Sequence, residues 1–303
     1  LQHMGVEVLD ERPYEIDRIG APLAWVYDFG LASPTVEVPF AGTLPERFTD
    51  TITAVWAGRA EDDALNSLVL LAGLTWRQVA VLRAYVQWLR QGGLPFGQSY
   101  VQETLAAHPG VVARLVALFE TRFHPDRAAG REARTDALVE SLTTAIGEVA
   151  SLDADRVLSS LLAAVQATLR TTAYTAGVFT EGAPLALKLD PSAVPDLPEP
   201  RPAREVWVSS PQVLGVHLRF GAVARGGLRW SDRREDLRTE VLGLVKAQTV
   251  KNTVIVPTGA KGGFVVLRGP GEGASRDEVV AEGKARYTQF IGALLALTDN
   301  LVD

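Results

Sequence analysis

The chain of 303 residues contains no cysteine. That absence excludes disulfides, thiol nucleophiles and thiolate metal centres together, and it fits a reducing compartment such as the cytoplasm. Four histidines, His3, His108, His124 and His217, stand singly, without the spacing of a zinc-ligand set. Long apolar stretches are missing as well: the longest uncharged runs, such as Val157 to Leu169, fall short of the roughly 18 residues that a membrane span needs. No basic segment followed by an apolar one opens the chain in the manner of a secretory signal. Nor does one sign of charge dominate. Thirty basic and 36 acidic residues leave a net charge of −6, spread along the chain, which argues against a nucleic-acid partner. With 47% apolar and 22% charged residues, the composition is that of an ordinary folded protein rather than a disordered one. The expectation is a cytoplasmic protein with no metal site, no membrane contact and, at about 150 residues per domain, about two domains.

Three regions follow from the patterning. Residues 1–42 read as extended: Val6 and Val8 alternate with polar neighbours, as do Trp25 and Tyr27, with Arg12-Pro13 and Gly20-Ala21-Pro22 as punctuation. This is too short to bury a core of its own and reads as the end of a small α/β domain. Residues 43–183 read as helices. Thr43 with Glu46, Thr75 with Gln78 and Ser99 with Gln102 have capping-box spacing. Val79, Leu82, Val86 and Leu89 line one stripe, ended by Gly92-Gly93, and further apolar periodicity runs over 111–119, 133–149 and 156–172.

Six of the 17 prolines crowd between Ala183 and Ala203. Proline removes backbone donors, so this stretch is expected to be a linker and not a central strand. Residues 184–303 then change character. Val206 to Val208 and Val213 to Phe220 read as strands, Asp232 to Asn252 as a helix, and Val254 to Val256 as a short strand. Gly259 to Gly263 reads as a glycine-rich loop, Phe264 to Leu267 as a strand, and Asp277 to about Thr298 as a helix. The fold class expected is an α/β segment preceded by a mostly α-helical region, with a short α+β piece at the N-terminus. Because the sequence starts inside a patterned segment and stops straight after an apolar helix, it reads as a piece of a longer chain.

The densest chemical signal is a set of cations held by glycines: Arg225 before Gly226-Gly227, Arg229 after them, Lys251, and Lys261 before Gly262-Gly263. Glycine lets a backbone approach a ligand closely, while arginine and lysine offer a fork and a point charge to carboxylates. Two or three such cations on one cleft would hold a dicarboxylate, and their mutual repulsion would lower one lysine's pKa toward the working pH. The plainer alternative is that the glycines make turns and the cations pair with Asp232, Glu235 or Asp236.

These residues resemble the substrate-domain motifs of glutamate dehydrogenases: 224–231 (ARGGLRWS), 248–252 (QTVKN) and 257–264 (PTGAKGGF). The nearest likeness is to the large bacterial NAD-dependent enzymes. It extends upstream through 10–16 (DERPYEI), 58–63 (GRAEDD) and 94–100 (LPFGQSY), covering nearly the whole chain. The resemblance implies conversion of L-glutamate to 2-oxoglutarate and ammonia with hydride passing to NAD, and an ACT-like character for the N-terminal piece. It assigns Lys261 as the catalytic lysine, with Lys251 on a substrate carboxylate. Arg225, with Gly226 and Gly227, takes the place where smaller members use a lysine for the other carboxylate.

In the family the catalytic aspartate lies in a later motif and the NAD-binding domain later still, so both would fall beyond Asp303; neither Asp299 nor Asp303 sits in a matching motif. The resemblance therefore implies that this piece alone is inactive and that it self-associates as a homo-oligomer through its full-length parent. Two other readings stay open: a regulatory module that grips a dicarboxylate without turnover, and a helical platform for assembly.

Smaller features have structural alternatives. Gly269 to Ala274 matches G-x-G-x-x-A after a strand, yet Glu272, Asp277 and Glu278 crowd the would-be phosphate position, favouring a surface turn. Glu61-Asp62-Asp63 could ligate a metal but suits a helix start better. His217 could line the cleft or simply pack within its strand.

Overall fold

Strands β1 (Glu7–Ile16) and β2 (Ala24–Ala32) pair antiparallel as a two-stranded ribbon, in keeping with the extended reading of this region. Trp25, Tyr27 and Phe29 stack in a row along β2 and remain exposed. The computed structural model describes residues 1–33, 41–180, 182–221, 226–251 and 259–298, without the side chains of 248–251. Arg225 and the strand expected over 254–256 lie outside the described residues.

The helical region is α1 (Leu44–Trp56), α2 (Leu68–Leu71), α3 (Trp76–Gln91), α4 (Gln98–Ala107), α5 (Pro109–Phe123), α6 (Arg131–Gly147) and α7 (Leu152–Ala167). The Thr75–Gln78 capping box forms as expected, with Gln78 Oε1 accepting from the Thr75 backbone N–H at 2.8 Å. The other two do not. Thr43 already has helical dihedrals, so its hydroxyl cannot reach back to the first-turn N–H groups. Ser99 lies inside α4, whose N-cap is Gly97. Helix α3 is buried on most of its circumference, from Trp76 through Trp88 and Leu89, and forms the axis of the region. Among the described residues no helix is long and apolar enough to cross a membrane.

A six-stranded sheet follows, in the order β3-β4-β5-β6-β8-β7, with β3 (Thr168–Thr171), β4 (Leu185–Leu189), β5 (Arg204–Ser209), β6 (Val213–Arg219), β7 (Leu228–Ser231) and β8 (Ala260–Val266). All pairs are antiparallel except β7 with β8. Two expectations fail here. The helix read over 156–172 stops at Ala167, and its last residues become β3. The proline-rich stretch contains β4, a strand hydrogen-bonded on both sides. Its prolines, Pro184 and Pro191, flank the strand instead of interrupting it, so every ladder donor survives.

Both faces of the sheet are covered. Leu187, Trp207, Val216 and Val265 face the helical region and α8 (Leu237–Lys251), whereas Val208, Val213 and Phe264 face α9 (Arg276–Ala296). That is why these strands read as near-continuous apolar runs. Helix α8 starts five residues later than expected, since Ser231 Oγ takes the Arg233 N–H and turns the chain before the helix begins.

Candidate functional site

The segment expected to be a glycine-rich loop is the beginning of β8. Gly262 and Gly263 pair in register with His217 and Val216 on β6. A Cβ on Gly262 would lie 2.5 Å from Leu228 Cδ2, and one on Gly263 would lie 2.8 Å from Val241 Cγ2. Side chains from β7 and α8 already fill those positions, so only glycine allows α8 to settle this closely on the strand. Alternation along β8 then aims Lys261 at the same face as Gly263 and Val265, the face that α8 covers.

Lys261 is half-buried and sits opposite Leu218 on β6. Alongside it run Gly226 and Gly227. A Cβ on Gly226 would fall 1.5 Å from the Ala260 carbonyl oxygen, so the two backbones touch and no side chain fits. A Cβ on Gly227 would stand 3.9 Å from Lys261 Nζ, which places the ammonium over bare backbone. The structure thus brings Gly226, Gly227 and Lys261 together. Lys251 is the final residue of α8, on the same side of the sheet, but its side chain lies outside the described residues, as does Arg225.

Arg229, grouped with these cations by sequence, has a separate partner. Its Nε is 2.8 Å from Glu240 Oε1 on α8, and Ser231 Oγ donates to the other oxygen of that carboxylate. Glu240 is a residue that sequence reasoning missed; its only signal was a position next to the apolar stripe of Leu237 and Val241. Of the partners proposed for the cations, Asp236 pairs instead with Arg233.

His217 lies on the opposite face from Lys261, beside the position of Gly262. Burial, reinforced by the charge of Arg219, holds its pKa below the usual 6.5. Because the unfolded chain then binds a proton that the folded one refuses, stability is expected to fall as pH drops below 6.5 toward the lowered folded value. His217→Leu should flatten that dependence in denaturant unfolding across this pH window; an unchanged slope would show that His217 is not its source.

Glu61, Asp62 and Asp63 also have structural work. Arg83, 4% exposed, holds Asp63 Oδ2 at 2.7 Å and Glu61 Oε2 at 3.0 Å, and Asp63 caps the turn Ala64–Ser67. Burial raises the Glu61 pKa against the pull of Arg83. Asp62 reaches out to His3.

The sequence matches known proteins. The family model for the bacterial NAD-glutamate dehydrogenase catalytic domain matches residues 141–303. This chain belongs to that family. Residues 60–125 match helical motif 3 of glutamate dehydrogenase, and residues 1–41 match its ACT3 domain. The chain is 50% identical to the NAD-specific glutamate dehydrogenase of Mycobacterium tuberculosis over 99% of its own length, and 48% identical to that of Halomonas elongata over 100%. The relative from Pseudomonas aeruginosa is 47% identical over 99%. The chain spans 19% of the length of each of these relatives.

The glutamate dehydrogenase family implies NAD, and the G-x-G-x-x-A turn is the sequence's nearest approach to a nucleotide cradle. Its residues do not fit one. The helix that follows is closed by Ser275, whose Oγ accepts from the Glu278 N–H while the Glu278 carboxylate accepts from the Ser275 N–H at 2.7 Å. The Ser275 N–H and hydroxyl, both donating to that carboxylate, hold it below its usual pKa, so an anion already occupies the end of α9 where a pyrophosphate would have to lie.

Proposed function

We propose that this chain supplies the substrate-binding part of an enzyme that converts L-glutamate to 2-oxoglutarate and ammonia with NAD. The observation that carries the reading is the placement of Lys261 Nζ over the bare backbone of Gly227, in a chain of the glutamate dehydrogenase family. An ammonium there can polarise the substrate carbonyl and move a proton to or from the attacking or departing water. Gly226 and Gly227 let the substrate approach the main chain, and Arg225 and Lys251 take its two carboxylates. NAD would be the hydride acceptor; we place its site and the catalytic aspartate outside residues 1–303, so residues 1–303 alone are expected to be inactive. Residues 1–42 form an ACT-like piece, and the full-length polypeptide is expected to act in the cytoplasm as a homo-oligomer.

The test is glutamate-dependent NADH formation by the full-length polypeptide. Turnover excludes a purely regulatory dicarboxylate module; dicarboxylate binding without turnover would favour it. Lys251→Ala should raise KM for glutamate by roughly tenfold or more with kcat nearly unchanged, because a carboxylate contact is made equally in ground and transition states. A loss confined to kcat would remove Lys251 from substrate binding.

A further inference from the structure

The helical region reaches into the sheet at a buried ion pair. Glu205 of β5, 0% exposed, receives a two-pronged contact from Arg238 of α8, itself 1% exposed: Nε to Oε1 at 2.9 Å and Nη2 to Oε2 at 2.9 Å. Trp88 of α3 donates its indole Nε1–H to the same Glu205 Oε1 at 2.7 Å. One turn further along α3, Gln91 Oε1 accepts the backbone N–H of Arg238 at 3.0 Å, and Gln91 Nε2 donates to the carbonyl of Arg234 at 2.7 Å. A glutamine from a distant part of the sequence therefore caps the first turn of α8, satisfying a donor that a helix start leaves free.

Stability does not call for this arrangement. A buried ion pair gives up its hydration to form, and apolar residues of similar volume in its place are often as stable or more so. What the fork, the indole and the amide supply is direction: each bond has one geometry, and together they tie the start of α8 to β5 and to α3. From Arg238 to Lys251 the helix runs about 20 Å, so a tilt of about 5° at the pinned end would carry the far end about 2 Å. Lys261, which β8 holds, would not follow.

We infer that Trp88, Gln91, Glu205 and Arg238 are positioning residues that set the angle of α8 on the sheet, and with it the spacing between Lys251, on a substrate carboxylate, and Lys261, at the substrate carbonyl. The inference rests on the substrate reading given above. None of the four touches substrate; they act through α8. In this view the helical region is part of the substrate site's geometry and not merely its neighbour.

The experiment uses the full-length polypeptide and measures the Kd of 2-oxoglutarate by calorimetry, alongside KM and kcat for glutamate. The double variant Glu205→Leu/Arg238→Met replaces the pair by apolar groups. It leaves the Trp88 indole N–H without its acceptor, so it should stay folded at a lower denaturant midpoint than the parent, and it should bind 2-oxoglutarate about tenfold more weakly, with KM rising more than kcat falls. Gln91→Leu, on a partly exposed side chain, should weaken binding without unfolding the protein. Gln91→Glu keeps an oxygen for the Arg238 N–H but loses the donor to the Arg234 carbonyl, so it should restore binding only in part. Parent-like Kd and KM in Gln91→Leu, and in the double variant where that folds, would overturn the inference while leaving the substrate reading intact. Failure of the unmodified polypeptide to bind 2-oxoglutarate would instead remove the substrate reading, and the inference with it.

Discussion

Lys261→Ala in the full-length polypeptide is expected to lower kcat for glutamate oxidation by several orders of magnitude. The substitution removes the ammonium that would polarise the carbonyl and a group that would move its proton. Positioned proton transfer is worth roughly 10²–10⁴-fold and charge stabilisation roughly 10²–10³-fold in comparable sites. The fold should survive, because Lys261 is held by backbone pairing to β6 rather than by side-chain packing, and alanine keeps the ladder. The contrast with Lys251→Ala is the informative comparison. A Lys261→Ala enzyme with near-normal kcat and raised KM would reduce Lys261 to a carboxylate anchor. Circular dichroism on the same samples separates lost chemistry from lost structure.

Gly226→Ala is expected to have the next largest effect, though it adds a single methyl group. The new Cβ would coincide with the Ala260 carbonyl, 1.5 Å from its oxygen and 2.7 Å from its carbon. These are backbone atoms of the residue just before Lys261, so no side chain can swing away and the two chain segments must part. Overpacking of this kind costs about 1–3 kcal/mol. A displacement of about 1 Å at the reacting group costs roughly 10²-fold in rate. Gly227→Ala is the control: its Cβ would stand in ordinary contact, 3.9 Å from Lys261 Nζ, with no backbone overlap. It should narrow the space under the ammonium and act mainly on KM. Equal kinetics for the two variants would mean that the approach of residue 226 to residue 260 does not hold Lys261 in place.

Much of the helical region was legible because its signals are local. The Thr75–Gln78 box, the stripe of Val79, Leu82, Val86 and Leu89, and the stop at Gly92 need only neighbouring residues to act, and all appear in α3. Thr43 and Ser99 show the limit of that reasoning. The spacing was right at both, but whether a hydroxyl caps depends on backbone dihedrals that the residues before it set. The candidate site stood out for a similar reason: an unusual density of glycine beside cations is a property of composition along a short stretch.

Its shape was not. Gly262 and Gly263 read as a loop, since glycine-rich runs ordinarily are, whereas here they are strand residues stripped of side chains so that Leu228, His217 and Val241 can fit against them. Those partners lie in other elements, and no local rule names them. The same holds for Arg229, which spacing grouped with the candidate substrate cations and which pairs instead with Glu240 of α8.

The sequence by itself determined most of the helices, the strands β5 and β6, the absence of thiol chemistry and the family motif around Lys261, because these depend on residues close together along the chain. Only the tertiary structure decided which face each strand turns to the helices. That placed Lys261 on the α8 side and His217 on the other, through a sheet whose register joins segments far apart in sequence. It also decided that Glu205 and Arg238, two charged residues among apolar neighbours, would meet in the dry interior under Trp88. A buried charge must find its partner wherever the fold brings one, and the sequence does not show where that is.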